Sequence, residues 1–390
     1  MKPLLTIFLT VFLDLVGFGL VIPLLPYYAE TYGASLAQVA WLMASYSLAQ
    51  FLFAPVWGSL SDRYGRRPIL LVSIAMGACM LAGFAWANTL WLLFLFRTLH
   101  GIFAANISTA QAYIADITTP ENRAKGMGLI GAAFGLGFTL GPWIGGELSV
   151  FGLSTPIWGA AGLSALNFLL ATVTLKESLH AESRGRPRPR NPRVLLEMLR
   201  HPTLGKALTQ SFIVTLAFAM MESTFALYEE HVYELTAQDV GRLLGLMGLV
   251  MVLIQGGLIG RLVKRFGEGG LICVGIPGLG IAIGAIAFAP PGAALSCVCA
   301  LLAICHGITL PSLHAVISKS SAADKQGIVL GTNHSLAALA RAIGPVIGGT
   351  LISLSLPLPL LASGAVLVLA GLLARAATTS APEPHVAASS

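Results

Sequence analysis

Charged residues are scarce in this sequence. Lys, Arg, Asp and Glu make up 10% of the 390 residues, whereas hydrophobic residues make up 56% and the mean hydropathy is +0.81. A water-soluble protein carries about 25% charged residues, so this chain cannot form a soluble surface. The deficit excludes a disordered protein, a secreted disulfide scaffold and a nucleic-acid-binding protein, and it indicates an integral membrane protein.

Motifs of enzymes and of ATP-driven pumps are also missing. No segment of the sequence matches G-x-x-x-x-G-K-[ST], the loop that holds nucleotide phosphates, and no His-Glu-x-x-His pair occurs. The five cysteines lie in apolar stretches, and Cys297-x-Cys299 lacks the spacing of a zinc site. We therefore expect no enzymatic activity, no metal and no cofactor.

Long apolar runs, in contrast, recur along almost the whole chain. A bilayer core about 30 Å thick needs roughly 20 apolar residues per helix. Twelve runs are long enough: 4–26, 37–57, 68–87, 90–113, 126–147, 155–175, 204–228, 240–260, 269–289, 292–317, 327–351 and 355–375. The sequence therefore predicts an all-α integral membrane protein with twelve transmembrane helices, called spans 1 to 12 below.

The basic residues predict the orientation of these spans. Of the 23 Lys and Arg residues, 20 lie in the two tails or in the connections that follow even-numbered spans. The opposite side is acidic, and Arg242 is its one basic residue. Because basic residues accumulate on the cytoplasmic side of membrane proteins, we expect both termini in the cytoplasm.

The chain divides into two halves with one plan. Gly58-Ser-Leu-Ser-Asp-Arg-Tyr-Gly65 after span 2 returns as Gly260-Arg-Leu-Val-Lys-Arg-Phe-Gly267 after span 8. Gly141-Pro-Trp-Ile-Gly-Gly146 in span 5 returns as Gly344-Pro-Val-Ile-Gly-Gly349 in span 11. Parallel repeats of this kind are one plan of membrane transporters.

The segment between the two repeats predicts where the chain is divided. Residues 176–203 are polar, basic and proline-rich, which is typical of a linker. We expect a six-helix bundle over 1–175, a cytoplasmic linker over 176–203, a second six-helix bundle over 204–376 and a cytoplasmic tail over 377–390.

Four ionisable residues inside the spans are candidates for the mechanism, because a charge within a bilayer costs several kcal/mol. Asp14 in span 1 and Arg97 in span 4 lie at similar depths, as do Glu222 in span 7 and Arg341 in span 11. We predict that all four couple protons to substrate. The alternatives are a static ion pair in each half and, for Glu222, a group wetted by the external vestibule.

The loop after span 2 predicts a charge network. It holds Gly58, Asp62, Arg63, Gly65, Arg66 and Arg67. We predict that Asp62 and Arg66 join Asp116, at the end of span 4, in a network that latches the outward-facing state. The simpler interpretation is that the arginines only hold the loop in the cytoplasm. In the second repeat Lys264 replaces the aspartate, so we expect gating to rely on the first half.

Spans 5 and 11 are predicted to be seams between the halves. Pro142 and Pro345 each remove a helix hydrogen bond and tend to kink a helix. Small residues around them allow another helix to approach closely; these are Gly137, Gly141, Gly145, Gly146 and Gly344. The halves would rock along these seams, and ordinary tight packing is the alternative.

These motifs resemble those of the major facilitator superfamily. The loop motif from Gly58 to Arg67 and the fourth-helix motif Arg97-Thr-Leu-His-Gly101 are similar to two motifs of that family. The segment from Gly137 to Gly146 resembles the fifth-helix motif of drug/proton antiporters. Residues 112–117 and 166–170 resemble the tetracycline-efflux branch.

The resemblance implies a fold, a function and a set of partners. The fold is the twelve-helix major facilitator fold, in which the loop motif serves as a conformational lock. The function is proton-coupled export of amphipathic organic compounds by alternating access, with a proton-coupled importer of a small metabolite as the alternative. The expected partners are a small amphipathic organic substrate, protons and membrane lipid, without nucleic acid. We expect a monomer in the bacterial inner membrane.

Overall fold

The computed structural model describes residues 2–104, 107–179, 198–320 and 326–379, and these residues form helices without any strand. Because almost every segment is apolar, each backbone polar group has to be satisfied within its own helix. The described helices are α1 Lys2–Val21, α2 Leu25–Glu30, α3 Leu36–Tyr64, α4 Arg66–Trp86, α5 Leu90–Phe103, α6 Ile107–Ile117, α7 Pro120–Ser149, α8 Thr155–Thr174, α9 Pro202–Tyr233, α10 Ala237–Leu253, α11 Ile259–Ile286, α12 Ala293–Lys319, α13 Gln326–Leu354 and α14 Leu358–Thr379.

These helices make twelve membrane crossings, which confirms the predicted fold class. Ten segments of the described chain are long and apolar enough to cross a membrane. One of them, 237–286, would be about 75 Å long as a single helix, but it breaks at Gly267, whose φ of 67° is not helical, so it makes two crossings. The shorter apolar helix Leu358–Leu373 makes the twelfth.

Two crossings are interrupted rather than straight. A 3-10 turn, Ile22–Leu24, joins α1 to α2 within span 1. In span 8 a π-helical turn, Ile254–Leu258, separates α10 from the start of α11. Interruptions of this kind are common in membrane helices that line a pathway.

The two halves use the same helix contacts. In the first half α1 packs against α7 and α8, α8 packs against α4, and α5 packs against α3 and α4. In the second half α9 packs against α13 and α14, α14 packs against α11, and α12 packs against α10 and α11. The repeated sequence motifs therefore lie in equivalent places. The predicted boundaries of the bundles stay predictions, since most of the linker (180–197) and of the tail (380–390) lies outside the described residues.

Two long helix pairs join the halves. The helix of span 5, α7, packs against α10 of span 8, and α3 of span 2 packs against α13 of span 11. Each pair takes one helix from each repeat, so the two contacts are related by the same symmetry as the sequence motifs. These pairs position the candidate site between the halves.

Candidate functional site

The glycines of α7 bring three helices into close contact. A Cβ atom added to Gly141 would lie 2.6 Å from the Cα of Gly19 in α1, and Gly137 faces Leu15 of the same helix. Five residues after Gly141, a Cβ on Gly146 would lie 2.9 Å from the Cα of Gly241 in α10. Gly146 therefore lies on the contact between the halves, whereas Gly137, Gly141 and Gly145 pack within the first half.

The glycines of α13 repeat this arrangement. Gly344 and Gly348 face α9 of their own half, with a Cβ on Gly344 only 2.9 Å from the Cβ of Ala219. Gly349 instead meets Ala40 of α3, in the other half, so closely that a Cβ would overlap its side chain. Both α7 and α13 continue as helices through Pro142 and Pro345.

Polar contacts join the halves at the predicted external end. Arg242 donates hydrogen bonds from Nε to Oε1 of Glu147, at 2.7 Å, and from Nη2 to Oε2, at 3.2 Å. The Tyr27 hydroxyl donates to the carbonyl oxygen of Leu235 at 2.7 Å. These contacts belong to a surface that we call the external gate, formed by Tyr27, Glu30 and Glu147 of the first half and His231, Leu235, Gln238 and Arg242 of the second.

The predicted cytoplasmic end is parted. A Cβ on Gly131 of α7, or on Gly256, Gly257 or Gly260 beyond α10, would meet no atom within 4 Å, and the same holds for Gly331 of α13. Hydrogen bonds and an ion pair between the halves lie in the external gate. Among the described residues, the halves are therefore in close contact on the predicted external side, and these glycines have no such contact on the other.

A cavity lies between the halves at the middle of the bundle. Asp14 of α1 and Arg341 of α13 both line it, together with Phe18, Tyr46 and Phe138. The sequence predicts Asp14 and Arg341 as coupling residues of separate halves, and the structure brings them to one space. Aromatic side chains, one acidic group and one basic group therefore line the same cavity.

The static ion pair between Asp14 and Arg97, which was the alternative to a role in coupling, does not form. The Arg97 guanidinium instead lies 4.5 Å from the ring centroid of Tyr46 and 5.5 Å from that of Phe18, and its Nε and Nη1 make no hydrogen bond to the described residues. The reason is that Arg97 lies in α5, which packs against α3 and α4 rather than against α1. Phe18 and Tyr46 line the cavity, so Arg97 contacts two of its lining side chains.

The second predicted pair, Glu222 and Arg341, is only partly formed. Their helices α9 and α13 are adjacent, as predicted. The two charges interact, but no ion pair within 4.0 Å joins them, because Arg341 extends into the cavity that it shares with Asp14. Glu222 thus lies behind Arg341 as seen from the cavity.

The loop after span 2 forms the predicted charge network. Arg66, which is 1% exposed, donates from Nη2 to Oδ1 of Asp62 at 2.6 Å and from Nε to Oδ2 of Asp116 at 3.1 Å. All three residues belong to the first half, and the network is intact although the predicted cytoplasmic end is parted. The network thus ties together helices of one half, and its role as a latch of the outward-facing state stays a prediction.

An acidic residue that sequence reasoning missed completes this network. Glu177 accepts hydrogen bonds from the backbone N–H of Arg66 at 2.9 Å, Arg67 at 3.3 Å and Leu179 at 3.0 Å. It lies so close to Gly65, whose φ is 106°, that a Cβ there would overlap its carboxylate. The start of the predicted linker is thus bound to the loop rather than free in the cytoplasm.

Two other arginines of the loop have different surroundings. Arg67 donates from Nε to the carbonyl oxygen of Leu175 and from Nη2 to that of Thr172, both at 2.8 Å, which closes the end of span 6. Arg63 is exposed, and Gly58 has only the Ser108 hydroxyl nearby. In the second copy, Gly267 takes the same kind of left-handed turn with no neighbour within 4 Å.

Comparison with known proteins places this architecture in a family. The model of the Major Facilitator Superfamily matches residues 7–345. The class C tetracycline resistance protein of Escherichia coli is 38% identical over 343 residues, which cover 87% of this chain and 86% of that protein. Multidrug resistance protein 2 of Bacillus subtilis strain 168 is 28% identical over 92% of this chain and 90% of its own length.

Solved structures agree in fold. The human organic anion transporter MFSD10 (TETRAN) has a TM-score of 0.74 at 26% identity and covers 96% of this chain and 99% of its own. A bacterial homolog of the human lysosomal transporter Spinster, in an inward-facing and unoccupied conformation, has a TM-score of 0.76 at 17% identity, with 97% and 96% covered. The chain belongs to the Major Facilitator Superfamily, in the branch of the tetracycline and multidrug resistance proteins.

Proposed function

We propose that the chain is a proton-coupled exporter of amphipathic organic compounds that works by alternating access. It acts as a monomer in the bacterial inner membrane, with both termini in the cytoplasm. The basic loops support this orientation, because basic residues accumulate on the cytoplasmic side of membrane proteins. In this state a compound reaches the cavity from the cytoplasm, while the external gate separates it from the outside.

The observation that carries the proposal is the cavity that both halves build. Asp14 comes from the first half and Arg341 from the second, so rocking of the halves changes the surroundings of both charges. Asp14 takes or releases the proton, and Arg341 and Arg97 provide positive charge that changes with the state. Phe18, Tyr46 and Phe138 bind the apolar body of the substrate.

Export rather than import is supported by the names of the relatives. The class C protein of Escherichia coli is named for resistance to tetracycline, and the Bacillus subtilis relative for resistance to several drugs. Resistance requires that a compound leave the cell. We therefore assign the same direction to this chain.

The experiment is expression in a host without its own exporters, tested against toxic compounds that include tetracycline. The wild type is compared with Asp14→Asn, which keeps the shape of the side chain and removes its ionisation. Matched membrane abundance of the two proteins is measured in parallel. Protection by the wild type and its loss in Asp14→Asn are expected; equal protection by both proteins would contradict proton coupling through Asp14.

A further inference from the structure

A buried carboxyl group that the central cavity does not use lies next to the external gate. Glu229 in α9 is 0% exposed, and neither of its carboxylate oxygens has a hydrogen-bond partner among the described residues. A carboxylate buried without a cation or a hydrogen bond is strongly destabilised. In the closed state of the gate this group is therefore neutral and carries a proton.

The neighbours of Glu229 offer no compensating charge. Tyr27 of α2, Cys299 of α12 and Tyr228 of α9 itself lie within electrostatic range, and none of them is a cation. Helix α9 ends at Tyr233, four residues after Glu229, and its last backbone carbonyls add partial negative charge.

The charged groups of the surrounding helices face other residues. Arg242 of α10 pairs with Glu147, Arg341 of α13 interacts with Glu222, and the His231 ring faces Glu30 of α2. The other charged groups described near this end of α9 are acidic, namely Glu230, Glu234 and Asp239. Every element packed around Glu229 therefore favours its neutral form.

The gate brings a residue of the first half to the turn of α9 that holds Glu229. The next two residues, Glu230 and His231, belong to the same turn, and His231 Nε2 lies 3.8 Å from Oε1 of Glu30. The Tyr27 hydroxyl donates to the carbonyl oxygen of Leu235, whose backbone N–H donates to the carbonyl oxygen of Glu229. Departure of α2 from α9 would remove Tyr27 from this turn.

Glu229 also lies in line with a residue of the proposed mechanism. It follows Glu222 by seven residues, which places both on one face of α9, about 10 Å apart along the helix. Phe218, four residues before Glu222 on this face, stacks on His306 of α12 at 4.2 Å. Two carboxyl groups thus lead from the gate towards the level of the central cavity.

From this geometry we propose that Glu229 takes up a proton from the external side and that the gate closes only when it is loaded. In the open gate a proton from external water adds to one carboxylate oxygen; closure then buries the neutral acid. This inference rests on the proposed export function, because Glu229 would be the residue that binds the incoming proton on the external side. Closure with an empty Glu229 would bury an unpaired charge.

The consequence is a defined pH dependence of the gate. A single proton taken up on closure changes the ratio of closed to open molecules by at most tenfold per pH unit. Lower external pH favours the closed gate. The carboxyl groups of Glu30 and Glu230 lie at the same surface, so a smaller dependence remains when Glu229 is made neutral.

The test measures opening of the gate by thiol labelling in lipid vesicles. The five native cysteines are replaced, and Ala237→Cys reports opening, since Ala237 is 5% exposed beside the contact of α7 and α10. Val150→Cys, at a position that is 64% exposed, corrects for the effect of pH on the reagent. A membrane-impermeant thiol reagent is added outside over a range of external pH.

In the parent protein the corrected labelling falls as the pH is lowered. Gln has the shape of Glu but no charge, so the gate of Glu229→Gln should stay mostly closed over the whole pH range. The pH dependence of its labelling should be weaker than that of the parent protein by up to tenfold per pH unit. Glu229→Met serves as a second neutral variant if the first does not fold. The matched control, Glu234→Gln, removes an exposed acid from the same helix end and should keep the parental slope.

The outcomes separate the two proposals. A parental slope in folded Glu229→Gln or Glu229→Met would overturn the role of Glu229. Loss of the slope in Glu234→Gln as well would overturn it too, because the effect would then belong to the surface charge in general. If the wild type protects cells against no compound, the export function fails, whatever the labelling shows.

Discussion

Gly146 provides the sharpest test of the contact between the halves. In Gly146→Ala the new Cβ would lie 2.9 Å from the Cα of Gly241 and 3.2 Å from the carbonyl oxygens of Ala237 and Gln238. Carbon atoms in contact are normally about 3.5–4.0 Å apart. The helices α7 and α10 therefore have to separate by roughly 0.6 Å or more in the closed state.

The cost of this overlap sets the size of the effect. Overpacking of a close contact destabilises by about 1–3 kcal/mol. The substitution affects only the state in which α7 and α10 touch at their external ends, so the cost becomes a shift between states. A shift of about 1–3 kcal/mol changes their ratio roughly 5-fold to 150-fold, in favour of the outward-open form.

The assay is external labelling of Ala237→Cys relative to Val150→Cys, as described above. Two controls lie on the same helix. Gly145→Ala overlaps Leu20 of the same half and should lower folding stability without shifting the gate, whereas Gly131→Ala meets no atom within 4 Å and should change neither. Unchanged labelling in folded Gly146→Ala, or an equal shift in Gly145→Ala, would refute this assignment of the seam.

Further predictions concern the loop after span 2. Arg66→Lys should lower transport at least tenfold and reduce the melting temperature, because breaking a buried pair costs about 3–5 kcal/mol. Adding Asp116→Asn to this variant should lower stability little further. If the effects of the two substitutions were fully additive, the three residues would not form a network. Glu177→Ala should destabilise the first half by about 1–2 kcal/mol in a thermal melt, since several backbone N–H groups lose their acceptor. Gly267→Ala should lower folding stability by only about 1–2 kcal/mol, because of its left-handed φ. Gly65→Ala should lower it clearly more, because the new Cβ overlaps Glu177. Equal melting temperatures of the two variants would contradict the contact between the loop and the start of the linker.

The fold could be predicted because its main determinants are local in sequence. Apolar runs of sufficient length have few alternatives to a membrane helix, and the repeat of the Gly-Pro motifs indicated two equivalent halves. The close helix approach at spans 5 and 11 also followed from small residues alone. The helices that face Gly145 and Gly146 could not be predicted. Consecutive residues of a helix point about 100° apart, and the sequence does not say which helix packs on which side.

The charged residues were harder to pair. Sequence gives the depth of Asp14 and Arg97 in the membrane but not the direction in which their side chains point. The Arg97 guanidinium lies over the ring of Tyr46, which belongs to another span. Glu177 gave no signal within a basic linker, because its partners are backbone N–H groups of a distant loop. Arg242 did give one: a lone basic residue on an acidic side requires a partner, and Glu147 provides it.

The glycine contacts between the halves have a consequence for the speed of the transport cycle. Where Gly146 meets Gly241 and Gly349 meets Ala40, backbone lies against backbone or against a single methyl group. At these two points the nearest atoms are backbone atoms or a methyl group, so separation there requires no change of rotamer. Such a contact is tight at equilibrium but has a low barrier to separation. A transporter that passes through this state in every turnover works faster when these contacts separate easily. Larger residues at these positions would slow the transport cycle even where they fit.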